Sequence, residues 1–193
     1  MSYAVKEIYY TLQGEGAQAG RAAVFLRFSG CNLWSGREED RTSATCRFCD
    51  TDFTGVDGPG GGRFPTAEDL AAAVANAWGA PRPDRGRPLV VCTGGEPLLQ
   101  LDPALVEALH REGFDVAVET NGTCEAPEGI DWITVSPKAG TRLRLTAGHE
   151  LKLVYPQDGA GPDSYEDLSF SSFFIHPMAG PAREANVAAA AAY

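Results

Sequence analysis

Pro88-Leu89-Val90-Val91-Cys92-Thr93-Gly94-Gly95-Glu96-Pro97 is a short apolar run that ends abruptly in two glycines. Such a run, bounded by turn residues, reads as a strand buried on both faces, the kind found in parallel sheets. Glycines at the carboxyl end of a parallel strand let a ligand approach the backbone closely. Taken alone, Gly-Gly-Glu-Pro also has the composition of a plain turn.

The chain around this strand alternates. Downstream, Asp102 caps a helix with Pro103 at its first position; Leu105, Val106 and Leu109 face inward and Gly113 stops it. Strands are predicted at 115–120, 131–136, 150–155 and 171–176. Upstream, Thr66 and Asp69 form a capping-box pattern, and Leu70, Val74 and Trp78 recur at helical spacing. Alternation over Ala22 to Ser29 sets Val24, Leu26 and Phe28 on one strand face, with Phe25 and Arg27 on the other. An earlier, shorter strand is predicted at 4–10. Segments 32–45 and 54–64 read as loops, the second because Gly58-Pro59-Gly60-Gly61-Gly62 disfavours regular structure. This order predicts an α/β fold, a parallel sheet with few helices. With about three long helices for six or more strands, the expected architecture is an incomplete, partial TIM-like barrel. The whole chain, residues 1–193, reads as a single domain.

Sixteen Lys and Arg stand against 26 Asp and Glu, a net charge of −10. Such a surface repels phosphate backbones and anionic lipid, so neither nucleic acid nor a membrane is an expected partner. No basic segment followed by an apolar stretch opens the chain, which predicts a cytoplasmic location. The stretch 183–193 is alanine-rich and helical, without a glycine cap or a basic last turn.

Five cysteines in a reducing compartment are poor disulfide candidates. Cys31 follows a predicted strand, and Cys46-Arg47-Phe48-Cys49 comes after an insertion of fourteen residues, 32–45. Three thiolates can hold three irons of a 4Fe–4S cluster and leave the fourth open to a small molecule. Structural zinc needs four closed ligands, with Cys92 or Cys124 as the fourth. The pair spacing suits both.

Taken with Gly94-Gly95-Glu96-Pro97, the three-cysteine loop resembles the radical S-adenosylmethionine superfamily. Within it, the chain is similar to the 7-carboxy-7-deazaguanine synthase family. That resemblance rests on Thr11-Leu12-Gln13-Gly14-Glu15-Gly16, Arg27-Phe28-Ser29-Gly30-Cys31-Asn32-Leu33-Trp34 and Phe48-Cys49-Asp50-Thr51-Asp52-Phe53. It continues through Thr93 to Gln100, Glu119-Thr120-Asn121-Gly122, Ser136-Pro137-Lys138 and His176-Pro177-Met178.

The resemblance implies a radical ring contraction of 6-carboxy-5,6,7,8-tetrahydropterin to 7-carboxy-7-deazaguanine, with loss of ammonia, in queuosine and deazapurine biosynthesis. Cleavage of S-adenosylmethionine would supply the 5′-deoxyadenosyl radical. It assigns Cys31, Cys46 and Cys49 to the cluster. Phe48, Cys49, Asp50, Gly94, Ser136, Lys138, Phe173, Phe174, Ile175 and His176 would contact S-adenosylmethionine. Leu12, Gln13, Gly14, Glu15, Arg27 and Cys92 would contact the pterin, and Thr51 would bind Mg2+, with Asp50 and Asp52 adding charge nearby. It further implies an external electron donor such as a flavodoxin, a homodimer, and a segment past Tyr193 that closes over the substrate. A radical enzyme acting on a peptide or RNA would call for a basic face or an added domain, and neither is read here.

Overall fold

The computed structural model describes residues 2–79 and 86–193. Eight strands, β1 (Tyr3–Leu12), β2 (Ala22–Phe28), β3 (Gly62–Phe64), β4 (Leu89–Gly94), β5 (Asp115–Thr120), β6 (Trp132–Val135), β7 (Ala147–Tyr155) and β8 (Ser169–Pro177), form one sheet. Their order is β3-β1-β2-β4-β5-β6-β7-β8. From β2 to β8 every neighbouring pair is parallel, while β1 runs antiparallel to β2 and β3. With β3 and β8 at its two ends the sheet stays open, and the partial barrel expected from the sequence is the fold observed.

Helices α1 (Ala67–Trp78) and α2 (Pro103–Arg111) cover one face of the first strands. Both start where their caps predict: the Thr66 hydroxyl accepts the Asp69 N–H, and the Asp102 carboxylate accepts the Leu105 N–H. α1 ends on Gly79 in the left-handed region, φ 55°. Leu70, Val74, Leu105 and Leu109 pack onto Val24, Leu26, Phe28, Val90, Val116 and Val118 to form the main core. Among the described residues, no helix packs on β6 and β7 as α1 and α2 do on the first strands; β6 to β8 carry a smaller core built on Val135, Leu151, Leu153 and Phe170. Helix α3 (Arg183–Ala192) packs on β8, where the Asn186 amide donates to the Met178 carbonyl. Among the described residues, no helix is long and apolar enough to cross a membrane.

The segment 54–64 is more ordered than its glycines predict. Gly62–Phe64 pairs with β1 as an edge strand, and Gly58 and Pro59 exchange backbone hydrogen bonds with Lys6 and Ile8. A side chain at Gly61 would lie 2.2 Å from the Lys6 carbonyl. These glycines serve close contact with a strand rather than slackness. Residues Glu38–Ser43 of the 32–45 segment likewise form a short 3₁₀ turn.

At the end of β4, the string Gly94 to Gln100 works as a bracket. A Cβ on Gly94 would meet the Phe28 carbonyl at 2.4 Å, and one on Gly95 the Gly30 carbonyl at 2.3 Å and Cys31 Cβ at 2.6 Å. Much of the room these glycines leave is thus taken by the loop that carries Cys31. The Glu96 N–H donates to Gly30, and the Gln100 amide donates to the Ser29 carbonyl and accepts from the Ala4 N–H. Gly95→Ala is therefore expected to destabilise the protein by about 2 kcal/mol or more through overpacking. Gly161→Ala, where nothing lies within 4 Å, should stay within about 0.5 kcal/mol. Denaturant unfolding of the two variants measures the difference.

Candidate active site

The parallel strands end around a cavity of about 760 Å³. One wall carries Cys31, Cys46, Phe48 and Cys49 beside Gly94 and Gly95 at the end of β4. Burial raises the Cys31 thiol. The Cys46 and Cys49 side chains interact, which raises Cys46 above the usual thiol range and lowers Cys49 to about 6. The thiolate is the form that ligates iron. Facing these thiols is Lys138, which donates to the Ser136 carbonyl and hydroxyl, both at 2.7 Å. Its burial lowers its pKa, opposed by charge on Cys46 and Cys49.

The cysteine wall is fastened by Glu96, whose side chain is completely buried. It accepts the Thr120 hydroxyl at 2.7 Å, the Asn121 N–H at 2.8 Å and the Leu98 N–H at 3.0 Å. Burial pushes this carboxyl up, and the three donors oppose the shift.

The opposite wall is polar. Arg27, on the face of β2 away from the helices, donates through Nε to Glu7 at 2.7 Å and through Nη2 to the Tyr9 hydroxyl at 3.3 Å. Leu12, Gln13, Gly14 and Glu15 line the cavity from the loop after β1, and Asp50 and Thr51 from the loop after Cys49.

A model of the radical SAM superfamily matches residues 41–154. The match takes in Cys46 and Cys49 but starts inside the fourteen-residue insertion, so Cys31 falls outside it. A 7-carboxy-7-deazaguanine synthase from Caulobacter vibrioides is 62% identical over 193 residues, spanning all of this chain and 90% of its own length. One from Bacteroides thetaiotaomicron is 40% identical over 173 residues, 90% of this chain and 80% of its own. The chain belongs to the 7-carboxy-7-deazaguanine synthase family. The crystal structure of QueE from Escherichia coli is also similar, with a TM-score of 0.63 at 27% identity over 100% of this chain and 91% of that one.

Membership of this radical SAM family implies a 4Fe–4S cluster and S-adenosylmethionine. The donor set fits them: three cysteines on one wall, one of them acidic, facing a cavity large enough for a nucleoside. A zinc site completed by Cys92 does not fit. Alternation along β4 turns Cys92 into the helix-side core beside Val90, where burial raises its thiol to about 12. The same parity corrects the expectation that Cys92 contacts substrate; its neighbour Thr93 lines the cavity instead. Cys124 lies beside the cluster loop, its sulfur 3.9 Å from the Asn32 amide, without lining the cavity.

Two other expectations are redistributed. Of Phe173, Phe174, Ile175 and His176, only His176 lines the cavity. Phe174 shares the register of Lys152, and the Phe173 ring packs edge-on against Phe170. Asp52 is drawn away from Thr51 by Lys6, 2.8 Å from it.

Sequence reading assigned no role to β7, yet its alternation carries one. Leu151 and Leu153 enter the core, while Glu150, Lys152 and Val154 share the other face. Lys152, 7% exposed, pairs with Glu15 and lies 3.4 Å from Glu119. Glu119 in turn accepts the Gln13 amide at 2.9 Å, and Glu150 accepts the Ala17 N–H at 2.8 Å. In this family member, then, β7 pins the loop after β1 across the barrel mouth. The available signal was a charged residue at alternate positions of an otherwise apolar strand.

Burial pushes the Glu15 carboxyl up, but Lys152 and His176 outweigh it and hold it below its usual value. Lys152→Met should cost about 2 kcal/mol at pH 7, less than for a fully buried pair because Glu15 is 43% exposed. A depressed carboxyl stabilises the fold above its unfolded pKa and loses that contribution as pH falls. The gap between wild type and Lys152→Met is therefore expected to narrow below about pH 4, as urea unfolding across pH would show.

Proposed function

We propose that the chain converts 6-carboxy-5,6,7,8-tetrahydropterin to 7-carboxy-7-deazaguanine and ammonia. The observation that carries this reading is the division of one cavity into a thiol wall and a polar wall. The thiol wall would hold the cluster and S-adenosylmethionine, which would supply the radical chemistry the reaction needs.

In this reading Cys31, Cys46 and Cys49 would hold the cluster through three thiolates, and the cofactor would bind beside them. Gly94 offers backbone to its amino group, while Ser136 and Lys138 meet its carboxylate and ribose. Phe48 covers the adenine, with Asp50 beside it. The end of β8 supports the ring through His176, which lines the cavity there.

The substrate's amide and amine edge presents donors and acceptors, which Gln13, Glu15 and the backbone at Leu12 and Gly14 can satisfy. Lys152 keeps Glu15 ionised and therefore an acceptor. Arg27 offers a guanidinium to the substrate carboxylate, held at its angle by Glu7 and Tyr9. Thr51 contributes an oxygen to Mg2+, an ion that needs few protein ligands. An external one-electron donor such as a flavodoxin and a homodimeric assembly belong to the same reading.

The test is anaerobic incubation of the reduced, reconstituted protein with S-adenosylmethionine, Mg2+ and 6-carboxytetrahydropterin, with product followed by mass spectrometry. Formation of 7-carboxy-7-deazaguanine is expected; cofactor cleavage without ring-contracted product would reject the substrate and keep the radical chemistry. Arg27→Ala should raise KM for the pterin roughly tenfold or more, the worth of a charged hydrogen bond, with little change for S-adenosylmethionine. Cys49→Ala should hold no intact cluster, and Thr51→Ala should require more Mg2+ for half-maximal rate.

A further inference from the structure

The insertion 32–45 separates Cys31 from Cys46. Its residues build a small cap around Trp34, which is 7% exposed and packs edge-on against Phe53 at 5.6 Å. The Trp34 indole N–H donates to the Arg37 carbonyl, and the Leu33 carbonyl accepts from the N–H groups of Thr45 and Cys46. Arg41 stacks on this cap, its guanidinium carbon 4.0 Å from the Trp34 ring centre. Glu38 holds the guanidinium through both carboxylate oxygens.

What remains of the Arg41 fork points at the cysteine turn. Its Nη1 donates to the Arg47 carbonyl at 2.8 Å and to the Cys49 carbonyl at 3.0 Å. Residues 46–53 belong to no helix or strand, so these carbonyls lack the partners that regular structure would give them. One rigid, planar donor group supplies two of them at once, which a lysine ammonium cannot do with the same geometry. The fork is fixed on all sides by an aromatic face, a carboxylate and two carbonyls.

We propose that Arg41 is a positioning residue for the cluster, and that the insertion serves to deliver it. By fastening the carbonyls within the turn it holds the Cys46 and Cys49 thiols at a set separation before iron arrives. It also places a fixed positive charge beside two ligands, which favours the more negative, reduced cluster and so raises its potential. This inference rests on the cysteine assignment of the proposed function.

Full-length wild type, Arg41→Gln, Arg41→Lys and Arg37→Gln are reconstituted anaerobically for the test. Arg37 is the charge control, since it sits in the same insertion with its side chain 72% exposed. Three quantities are read: iron and sulfide per chain, the rate of iron loss to a ferrous chelator, and the midpoint potential by titration under electron paramagnetic resonance. Arg41→Gln is expected to lose iron at least fivefold faster and to have a more negative potential. Arg41→Lys should also lose iron faster but keep a potential nearer wild type, because it retains the charge. Arg37→Gln should match wild type in all three.

Wild-type iron retention and potential in Arg41→Gln would overturn the inference, as would equal shifts in Arg37→Gln. Should Arg41→Gln fail to fold by circular dichroism of the apo protein, Arg41→Lys decides, and wild-type retention there overturns it. A wild type that takes up no cluster sinks the cysteine assignment as well. A wild type that holds its cluster and makes no deazaguanine leaves the inference standing and rejects only the substrate.

Discussion

The Glu96 carboxylate is the constraint on which the site depends. Taking a carboxyl wholly out of water is costly, and only a full set of hydrogen-bond partners makes it tolerable. Here the donors are the Leu98 N–H, the Thr120 hydroxyl and the Asn121 N–H, so the ends of β4 and β5 are tied to one side chain. The same residue's N–H reaches back to Gly30, next to Cys31. The cysteine loop, the glycine corner and the start of the polar wall are thereby held together. Glu119, which positions Gln13, is the neighbour of Thr120 in β5, so the tie reaches the polar wall as well.

The polar wall is held by a buried charge. Lys152 stands between Glu15 and Glu119 and offsets the repulsion between the two carboxylates. The open sheet makes such ties necessary. A closed barrel would fix the loop after β1 by strand pairing, whereas here Lys152 of β7 and His176 of β8 reach across to Glu15. The site in this family member is therefore held by two buried polar anchors, each satisfied by residues from distant parts of the chain.

Most of this fold was legible in the sequence because its signals are local. Thr66, Asp102, Pro103 and the apolar spacing of Leu70, Val74 and Trp78 act within one or two turns of helix, and both helices begin at the predicted caps. The chain's cysteine and Gly-Gly-Glu-Pro strings marked the wall where the structure gathers them. What local reading missed depends on distant partners. Gly61 looks slack until Lys6 of β1 is seen against it, and Lys152 has no role until Glu15 and Glu119 meet it. Cys92 was misassigned for a simpler reason. Side chains alternate along a strand, so the residue two before Gly94 faces the helices and Thr93 faces the cavity.

In the proposed site, three cysteines leave one iron open for S-adenosylmethionine. Electron–nuclear double resonance of the reduced, reconstituted protein with S-adenosylmethionine labelled by ¹⁵N at its amino group tests that open iron most directly. A nitrogen coupling that appears with the labelled cofactor, and is absent without it, is the predicted result. A cluster signal unchanged by the cofactor would contradict it, for it would mean that a fourth protein ligand closes the site.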